Sequence, residues 1–314
     1  MSSVLCVILN WRTPDMTLKS AQAAIEAMEG IDGAITIVDN DSQDGSYEKM
    51  AEAAKDWPRV RVLQSGRNGG YGAGNNHGIR AGLPDGSKPD YIYILNSDAF
   101  PAKDAIKVLV DYLDTHRDVG FAGSYIHGDD GEPHTTAFRF PSIASEFESA
   151  AATGPISKLL RKSIIAPPLP TVTTAVDWFA GASVLARQDM LDQIGLFDET
   201  FFLYFEETDL FRRSAKAGWK AVYVVESRVM HIGSVSTGMK TWKRVPGYWF
   251  ESRRHYFEKN HGRIYTLAAT MAHVAGMGIF GLRVLVQRKT PQTPPYFLRD
   301  LVRHTLGTRK AQES

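Results

Sequence analysis

Four short apolar runs within the first hundred residues constrain the fold more than any other feature. They are VLCVILN, AITIVDN, VRVLQS and YIYILNSD, and helical patterns at about 17–29 and 47–55 and a glycine-rich stretch separate them. Strands and helices that alternate at this spacing predict parallel strand–helix–strand units, with helices on both faces of one sheet. Because the runs are continuously apolar, the strands are expected to be buried on both sides. The predicted fold class is therefore α/β.

Polar residues follow each of these four runs. They are Asn10, 39–42, 68–76 and 96–98. In open sheets of this kind, ligands bind beyond the carboxyl ends of the strands. Asp98 raises the sharpest question, because an acid at the tip of a buried strand needs a cation or a hydrogen-bond donor opposite it. The sequence therefore predicts a polar binding site at this edge of the sheet.

The glycine-rich stretch VRVLQSGRNGGYGAGNNHGIRAG lies between a strand and a helix, which is the context of a dinucleotide-binding loop. The spacing of that loop is absent, because Asn75 stands where a third glycine would follow Gly70 and Gly72. A phosphate loop that ends in Gly-Lys-Ser/Thr is absent from this stretch as well. Asparagines at a helix start favour a polar ligand held by backbone N–H groups and amides, and a flexible turn is the alternative.

Asp39, Asp41 and His231 each admit a structural and a functional interpretation. The two acids flank Asn40 at the end of the second strand, in IVDNDSQDG. They either form a side-chain turn into the next helix or accept hydrogen bonds from a nucleotide base or a ribose hydroxyl. His231 follows another strand pattern, in VVESRVMHIGS, and is either a structural residue or a ligand.

An acidic cluster in FLYFEETDLFRR begins a predicted helix over 206–218, which follows a strand at SVLA and a short helix over 188–194. Glu206 and Glu207 lie in its first turn, where the helix dipole favours negative charge. The aromatic residues before them would partly exclude water. Exclusion of water raises the pKa of a carboxyl group and suits it to general-base catalysis.

Over residues 3 to about 238, these motifs together resemble the inverting glycosyltransferases of family 2, which have the GT-A fold. The chain is most similar to the bacterial rhamnosyltransferase-like enzymes of polysaccharide assembly. The matching segments are Asn10, 39–45, 68–78, 96–98, 198–212 and 231–234. The resemblance implies a Rossmann-like mixed sheet. It also implies transfer of a sugar from a nucleoside diphosphate sugar to a hydroxyl of a glycan or lipid-linked acceptor.

By this resemblance the sugar donor lies against the strand ends. Asp39 contacts the nucleotide base, and Asn68 and Asn75 shape the ribose and diphosphate pocket. Asp98 ligates a divalent cation, Mg²⁺ or Mn²⁺, which neutralises the departing diphosphate, and His231 is a second protein ligand. The implied nucleotide-sugar-binding residues are, in full, Asn10, Asp39, Asp41, Asn68, Gly70, Asn75, Asn96 and Asp98.

The resemblance also assigns the catalytic base. Glu207 takes the proton from the acceptor hydroxyl as that oxygen attacks the anomeric carbon, and Glu206 is the alternative base. A single displacement inverts the anomeric configuration. Trp178 and Gly181 border the acceptor side, where Trp178 either stacks on a sugar or belongs to the core.

We expect a GT-A catalytic domain over 1–240, with a nucleotide-binding half (1–100), a mobile loop (141–175) and an acceptor and catalytic half (176–240). Two other functions are alternatives. A nucleotidyltransferase would need a basic triphosphate loop after the first strand, where NWRTPDM offers only Arg12. A non-catalytic binding module recruited to a membrane is the other alternative.

The last segment, 241–314, is expected to be a basic helical extension. From residue 240 onward there are 14 Lys and Arg against 4 Asp and Glu, and the run 264–282 lacks all four residue types. At its length and modest hydrophobicity, a helix lying in a membrane interface is favoured over a spanning helix. We therefore expect a cytoplasmic protein with peripheral attachment to an anionic inner membrane face. Helices packing on the core or on a second subunit of a homodimer are the alternative.

The composition disfavours a nucleic-acid partner and an oxidising compartment. The basic extension has few interleaved aromatic residues, so no nucleic-acid partner is expected. The single cysteine, Cys6, excludes an internal disulfide and fits a reducing cytosol.

Overall fold

The computed structural model describes residues 2–233, 242–288 and 293–307. The strands are β1 (Ser3–Asn10), β2 (Asp32–Asp39), β3 (Val60–Gln64), β4 (Tyr91–Asn96), β5 (Ala99–Pro101), β6 (Val119–His127), β7 (Ala137–Phe138), β8 (Thr174–Val176), β9 (Trp178–Phe179), β10 (Ser183–Arg187) and β11 (Lys220–His231). The helices are α1 (Pro14–Ala27), α2 (Ser46–Ala54), α3 (Gly70–Arg80), α4 (Ala105–Thr115), α5 (Ile143–Ala151), α6 (Gly154–Leu159), α7 (Gln188–Ile194), α8 (Glu206–Lys216), α9 (Gly247–His261), α10 (Arg263–Gln287) and α11 (Phe297–Leu306). A short 3₁₀ helix covers Arg161–Ser163.

A mixed sheet in the order β3-β2-β1-β4-β10-β6-β11-β5 forms the centre of the molecule, and β8 pairs with β11 outside this path. β1 runs parallel to β2 and β4, and β2 runs parallel to β3. β10 is antiparallel to both of its neighbours, β4 and β6. The predicted α/β class is confirmed, and β10 is an antiparallel strand inserted between two parallel blocks.

Two hydrophobic cores explain why β1 is continuously apolar. Val4, Cys6 and Ile8 pack with α1 and α4 on one face of the sheet. Leu5 and Val7 pack with α3, α7 and α8 on the other face. Successive side chains of a strand point to opposite faces, so a strand covered on both sides needs an apolar residue at every position. Helices on both faces are therefore confirmed.

The segment predicted as a mobile loop, 141–175, contains α5, α6 and the 3₁₀ helix. α5 begins with a capping box in which Ser142 and Ser145 each bond the backbone N–H of the other. One face of α5 packs on α10, where Gly276 lies against the backbone of Phe147. The segment thus has regular elements, and its mobility stays a prediction.

The predicted helical C-terminal extension is confirmed as α9, α10 and α11, and the predicted boundary at 240 lies outside the described residues. α9 packs against α8, where Lys259 and Asn260 donate to the buried carboxylate of Asp209 at 2.7 and 3.0 Å. The extension is therefore joined to the catalytic half by buried polar contacts, as the core-packing alternative proposed.

A buried ion cluster joins α5 to the extension. Arg253 of α9 donates from Nη2 to Glu146 Oε2 at 2.9 Å and from Nη1 to Thr270 Oγ1 at 3.1 Å. His273 of α10 lies 2.8 Å from the same Glu146 oxygen. Arg253 is 1% exposed and Glu146 is 7% exposed, so each charge depends on the other for its solvation.

Arg253→Ala is expected to lower the free energy of unfolding by about 3–5 kcal/mol, because it leaves the Glu146 carboxylate buried without its main partner. The measurement is urea unfolding followed by circular dichroism. The control is Lys107→Ala, which removes an exposed pair with Asp111 on α4 and is expected to change stability by about 0.5 kcal/mol. Equal losses in the two variants would contradict the assignment.

Candidate active site

The carboxyl ends of the parallel strands bring the predicted polar residues to one edge of the sheet. Asn10 lies opposite Asp39 in the pairing of β1 with β2. Asn96 lies opposite Leu9 in the pairing of β1 with β4. The strand register therefore places the ends of β2, β1 and β4 side by side, as the sequence predicts.

Asp39 is buried and forms a turn. Its carboxylate accepts from Asn10 Nδ2 at 2.8 Å, from the Ser42 backbone N–H at 3.0 Å and from Ser42 Oγ at 2.6 Å. The structure therefore shows the side-chain turn predicted for Asp39. Contact of Asp39 with a nucleotide base stays a prediction. Ser42, which the sequence placed among the polar strand-end residues without a role of its own, is the buried centre of this turn. Asp41, beside it, adopts a positive φ of 57°.

Asn10 also holds the first helix in place. Its Oδ1 accepts from Thr17 Oγ1 at 2.7 Å and from the Thr13 backbone N–H at 3.2 Å. Arg12, the only cation after β1 in the rejected triphosphate loop, donates from Nε to the Ser42 carbonyl at 3.1 Å. This part of the strand edge is therefore fixed by its own hydrogen bonds.

The glycine-rich loop begins α3 and folds back on Asn68. The Asn68 side-chain oxygen accepts from Asn40 Nδ2 at 3.0 Å and from the Gly70 backbone N–H at 3.1 Å. Gly70 has a φ of +87°, and a β-carbon there would overlap the carbonyl of Phe202, so only glycine fits. Asn75 is buried, donates to the Tyr71 carbonyl at 3.0 Å, and leaves its side-chain oxygen without a partner within the described residues.

Asp98 faces His231. The Asp98 Oδ1 lies 3.0 Å from His231 Nε2, and Oδ2 accepts from the Gly233 backbone N–H at 3.1 Å. The antiparallel pairing of β5 with β11 sets His231 opposite Ala99 and so brings it beside Asp98. Burial alone would raise the pKa of Asp98, but the hydrogen bonds from His231 and the backbone lower it below its ordinary value. Ser234, the last residue of the matched motif, lies outside the described residues.

Tyr71 connects the end of β4 to Gly181 and was not predicted from the sequence. Its hydroxyl lies 3.2 Å from Asn96 Oδ1 and 2.9 Å from the Gly181 carbonyl oxygen. Asn96 Nδ2 in turn lies 3.4 Å from His231 Nε2. One side chain of the glycine-rich loop therefore spans the distance between the donor-side and acceptor-side candidates.

Glu207 and Gly181 meet at the start of α8. The Gly181 backbone N–H donates to Glu207 Oε1 at 2.5 Å. A β-carbon at Gly181 would collide with Glu207 Oε1 and with the Tyr71 hydroxyl, so glycine is required for this approach. Burial raises the pKa of Glu207 to about 7, although the hydrogen bond from Gly181 opposes the shift. Glu207 is thus poised to exchange a proton near neutral pH.

Glu206 lies in a different environment from its neighbour. It is 2% exposed, and its Oε2 has no hydrogen-bond partner within the described residues. Burial, followed by the nearby charge of Glu207, raises the pKa of Glu206 well above its ordinary value. Burial therefore favours the neutral form of the Glu206 carboxyl over its charged form.

The loop before α8 is anchored from behind by α9. The sequence did not predict this contact. Lys259 Nζ donates to Asp198 at 2.9 Å and to Asp209 at 2.7 Å, and His255 lies 2.9 Å from Asp198. Tyr204 and Phe205 have positive φ values of 69° and 67° in the turn between these acids. Strained turns of this kind persist only where surrounding contacts hold them.

Trp178 is half-buried beside the predicted acceptor side. Its indole Nε1 donates to the Arg139 carbonyl at 3.0 Å. Its ring stacks on Phe138 with centroids 4.5 Å apart. One ring face is therefore already covered, and stacking of the other on a sugar stays a prediction.

The residues at the Asp98 turn fit a divalent cation with few protein ligands. Within the ranges that the structure describes, no group of three or more His, Cys, Asp or Glu side chains could hold a metal ion. Asp98 and His231 nevertheless direct an oxygen and a nitrogen toward each other. Mg²⁺ and Mn²⁺ commonly keep water and phosphate oxygens as ligands, so two protein ligands are sufficient when a diphosphate is bound.

Comparison with a solved structure identifies the fold class. The mannosyltransferase PcManGT from Pyrobaculum calidifontis, in complex with GDP-Man and Mn²⁺, matches 90% of this chain and 75% of its own with a TM-score of 0.58 at 13% identity. At this identity the likeness shows the fold alone, which is that of the GT-A glycosyltransferases.

Comparison of sequences then identifies the family. The model of glycosyl transferase family 2 matches residues 14–180. The N-acetylglucosaminyl-diphospho-decaprenol L-rhamnosyltransferase of Mycobacterium tuberculosis is 30% identical over 251 residues, 76% of this chain and 79% of that protein. Rhamnosyltransferase WbbL of Escherichia coli K12 is 28% identical over 52% of this chain and 61% of that protein. The chain belongs to glycosyltransferase family 2 and is a glycosyltransferase, which sets aside the two alternative functions.

Proposed function

We propose that this chain transfers a deoxyhexose, with rhamnose as the first candidate, from a nucleoside diphosphate sugar to a lipid-linked glycan acceptor, with inversion. The observation that carries the proposal is the pair of contacts made by the Tyr71 hydroxyl. They join the turn that would hold the diphosphate to the glycine that holds Glu207. Donor and base thereby belong to one site. The names of the two rhamnosyltransferase relatives support the choice of sugar and acceptor.

Asp98 and His231 are the residues that would hold a divalent cation, Mg²⁺ or Mn²⁺. The Mn²⁺ in the PcManGT complex supports this assignment. When bound, such a cation neutralises the negative charge that develops on the departing diphosphate. Asp98 suits the role because the hydrogen bonds that lower its pKa keep its carboxylate ionised.

Glu207 is the group that receives the acceptor proton. Its carboxylate takes the proton of the acceptor hydroxyl while that oxygen forms a bond to the anomeric carbon and the bond to the diphosphate breaks. The N–H of Gly181 fixes one carboxylate oxygen, and the other oxygen would accept the proton. Attack from the face opposite the diphosphate inverts the anomeric configuration.

The remaining strand-end residues would bind the donor. Asn68, Gly70 and Asn75 line the start of α3, where backbone N–H groups favour an anionic ligand. Asp39 and Asp41 lie at the end of β2, on the side proposed for the nucleotide.

A lipid-linked acceptor resides in a bilayer, so the reaction takes place at a membrane. We assign the reaction to the cytoplasmic face of that membrane.

The test is transfer by the purified full-length protein. It is incubated with Mn²⁺, a polyprenyl-diphosphate-linked N-acetylglucosamine and, one at a time, thymidine, uridine and guanosine diphosphate sugars. We expect one donor to be used and the product to have the anomeric configuration opposite to that of the donor, read from its NMR coupling constants. Retention of configuration, or no transfer from any donor by the folded protein, would contradict the proposal.

A further inference from the structure

We propose that α10 and the basic segment 158–162 form one surface that lies on an anionic lipid bilayer, with the acceptor side of the enzyme turned toward the lipid. The orientation rests on the proposed function, since it assumes a lipid-linked acceptor. The binding surface itself rests on exposure, charge and packing within the described part of the chain.

The apolar part of this surface is one face of α10. Three of its exposed apolar residues stand at intervals of 7 and 11 positions, and two more follow the third by 3 and 4 positions, which places all five on one side of a helix. They are Ile264 (86% exposed), Met271 (70%), Leu282 (66%), Leu285 (75%) and Val286 (82%). Leu159, at the end of α6, is 82% exposed as well. An apolar face of this length left in water is a mark of an interaction site.

The opposite face of α10 shows that the helix lies along the protein. α10 is long and apolar enough to cross a membrane by length and composition. However, Thr266, Thr270 and Gly276 on the opposite face are buried in the protein, and His273 contacts the buried Glu146. A spanning position would separate these polar contacts or carry them into hydrocarbon. A helix held on one face and apolar on the other is suited to the membrane interface.

The charge around this face selects an anionic bilayer. Lys158, Arg161 and Lys162 are exposed on α6 and the 3₁₀ helix. Arg283 of α10 donates to the carbonyl of Ala152, two residues before α6, and so joins the second half of α10 to the chain that leads into the basic segment. No Asp or Glu occurs in 149–176 or in 259–299. Two copies of so cationic a surface would repel each other, whereas anionic lipid would attract it.

The basic segment is also continuous with the acceptor side. Arg139 donates from Nη1 to the carbonyl of Arg161 at 2.9 Å. The carbonyl of Arg139 in turn accepts from the indole N–H of Trp178 at 3.0 Å. Two hydrogen bonds therefore link the proposed membrane surface to Trp178, the residue proposed to border the acceptor. A bilayer on this surface would present a lipid-linked sugar to the Trp178 side of the site.

The test is co-sedimentation of the full-length protein with phosphatidylglycerol-containing vesicles and with pure phosphatidylcholine vesicles. We expect binding to the anionic vesicles alone, with a loss of binding at high salt. The triple variant Lys158→Ser, Arg161→Ser, Lys162→Ser is expected to bind about a hundredfold more weakly, from about fivefold per cation. Leu282→Ser with Leu285→Ser is expected to weaken binding as well, because it removes apolar contact with the lipid.

The matched control replaces three exposed lysines, Lys49 of α2, Lys55 at the end of α2 and Lys107 of α4, with serine. It has the same net charge as the basic-segment variant and is expected to bind vesicles as the wild type does. Equal binding by both triple variants would overturn the proposal. So would a leucine variant that binds vesicles normally but turns a dimer into a monomer in sedimentation velocity, because a second copy would then cover the face.

A transfer assay separates this proposal from the proposed function. With a short-chain, water-soluble acceptor, the basic-segment variant is expected to retain the wild-type rate, while it loses transfer to acceptor embedded in anionic vesicles. Loss with both acceptors would overturn the orientation. Vesicle binding that depends on the basic segment, in a protein that transfers no sugar, would uphold the surface and contradict the proposed function.

Discussion

Glu207→Gln is expected to reduce the rate of sugar transfer by about 10²–10⁴-fold, which is the usual contribution of a general base. Glu206→Gln is expected to retain most of the wild-type rate. The difference follows from the two environments, because the N–H of Gly181 fixes Glu207, whose pKa burial raises to about 7. Glu206 Oε2 has no partner within the described residues, and burial and the charge of Glu207 raise the pKa of Glu206 well above its ordinary value. A glutamine at 206 resembles the neutral carboxyl that burial favours there, whereas a glutamine at 207 cannot accept a proton. The measurement is kcat/KM for both variants.

The pH dependence of the wild type supplies a second readout of the same assignment. Glu207 accepts a proton only when it is ionised, so the rate should be low below its pKa, rise through about pH 7 and level off above it. Glu206→Gln should show the same midpoint. Equal losses in the two variants, or a larger loss at 206, would contradict the choice of Glu207 as the base.

Asp98→Asn is expected to reduce transfer by about 10³-fold, because stabilisation of a departing diphosphate by a metal ion is worth several kcal/mol. Asparagine preserves the acceptor for the N–H of Gly233, so the turn is expected to keep its fold. The measurement is kcat at saturating Mn²⁺. The control is Asp111→Asn, which removes an exposed partner of Lys107 on α4, outside the residues assigned to the site. Metal-dependent transfer at the wild-type rate in Asp98→Asn would contradict the assignment.

The cluster of polar residues at the strand ends could be predicted because it depends on residues that are neighbours in the sequence. Each apolar run ends where its polar residues begin, and parallel strands bring such ends together without any knowledge of the loops. The sequence also predicted α7 at its observed limits and the start of α8 at Glu206. Acidic residues mark the start of a helix and glycine marks its end, so these boundaries can be predicted from residues that are neighbours in the sequence.

The partners of the site residues were less predictable because they are distant in the chain. His231 reaches Asp98 through β5, a strand of three residues that pairs with β11. Tyr71 stands in a glycine-rich loop, where an aromatic residue is indistinguishable from a core residue until Gly181 is placed beside it. Glu206 and Glu207 are adjacent in the chain and have the same side chain. Only the packing around α8 gives them different environments.

The C-terminal extension was predicted in part. The run 264–282, which the sequence predicted to form an interfacial helix, includes Ile264, Met271 and Leu282, and the structure shows these three residues to be exposed. The opposite face is explained by Glu146, more than a hundred residues earlier in the chain. No local pattern links that acid to Arg253, so the buried cluster that fixes α10 appears only in the structure.

The most direct test of the central claim, that Asp98 holds the donor diphosphate and Glu207 acts only on the acceptor, is a comparison of thermal shifts. Unfolding temperatures of the wild type, Asp98→Asn and Glu207→Gln are measured with a nucleoside diphosphate, with and without Mn²⁺. At a hundredfold excess over Kd, binding adds about 2.7 kcal/mol to stability, which is a shift of several degrees. The account predicts this Mn²⁺-dependent shift in the wild type and Glu207→Gln and its loss in Asp98→Asn. An undiminished shift in Asp98→Asn, or its loss in Glu207→Gln, would contradict the account.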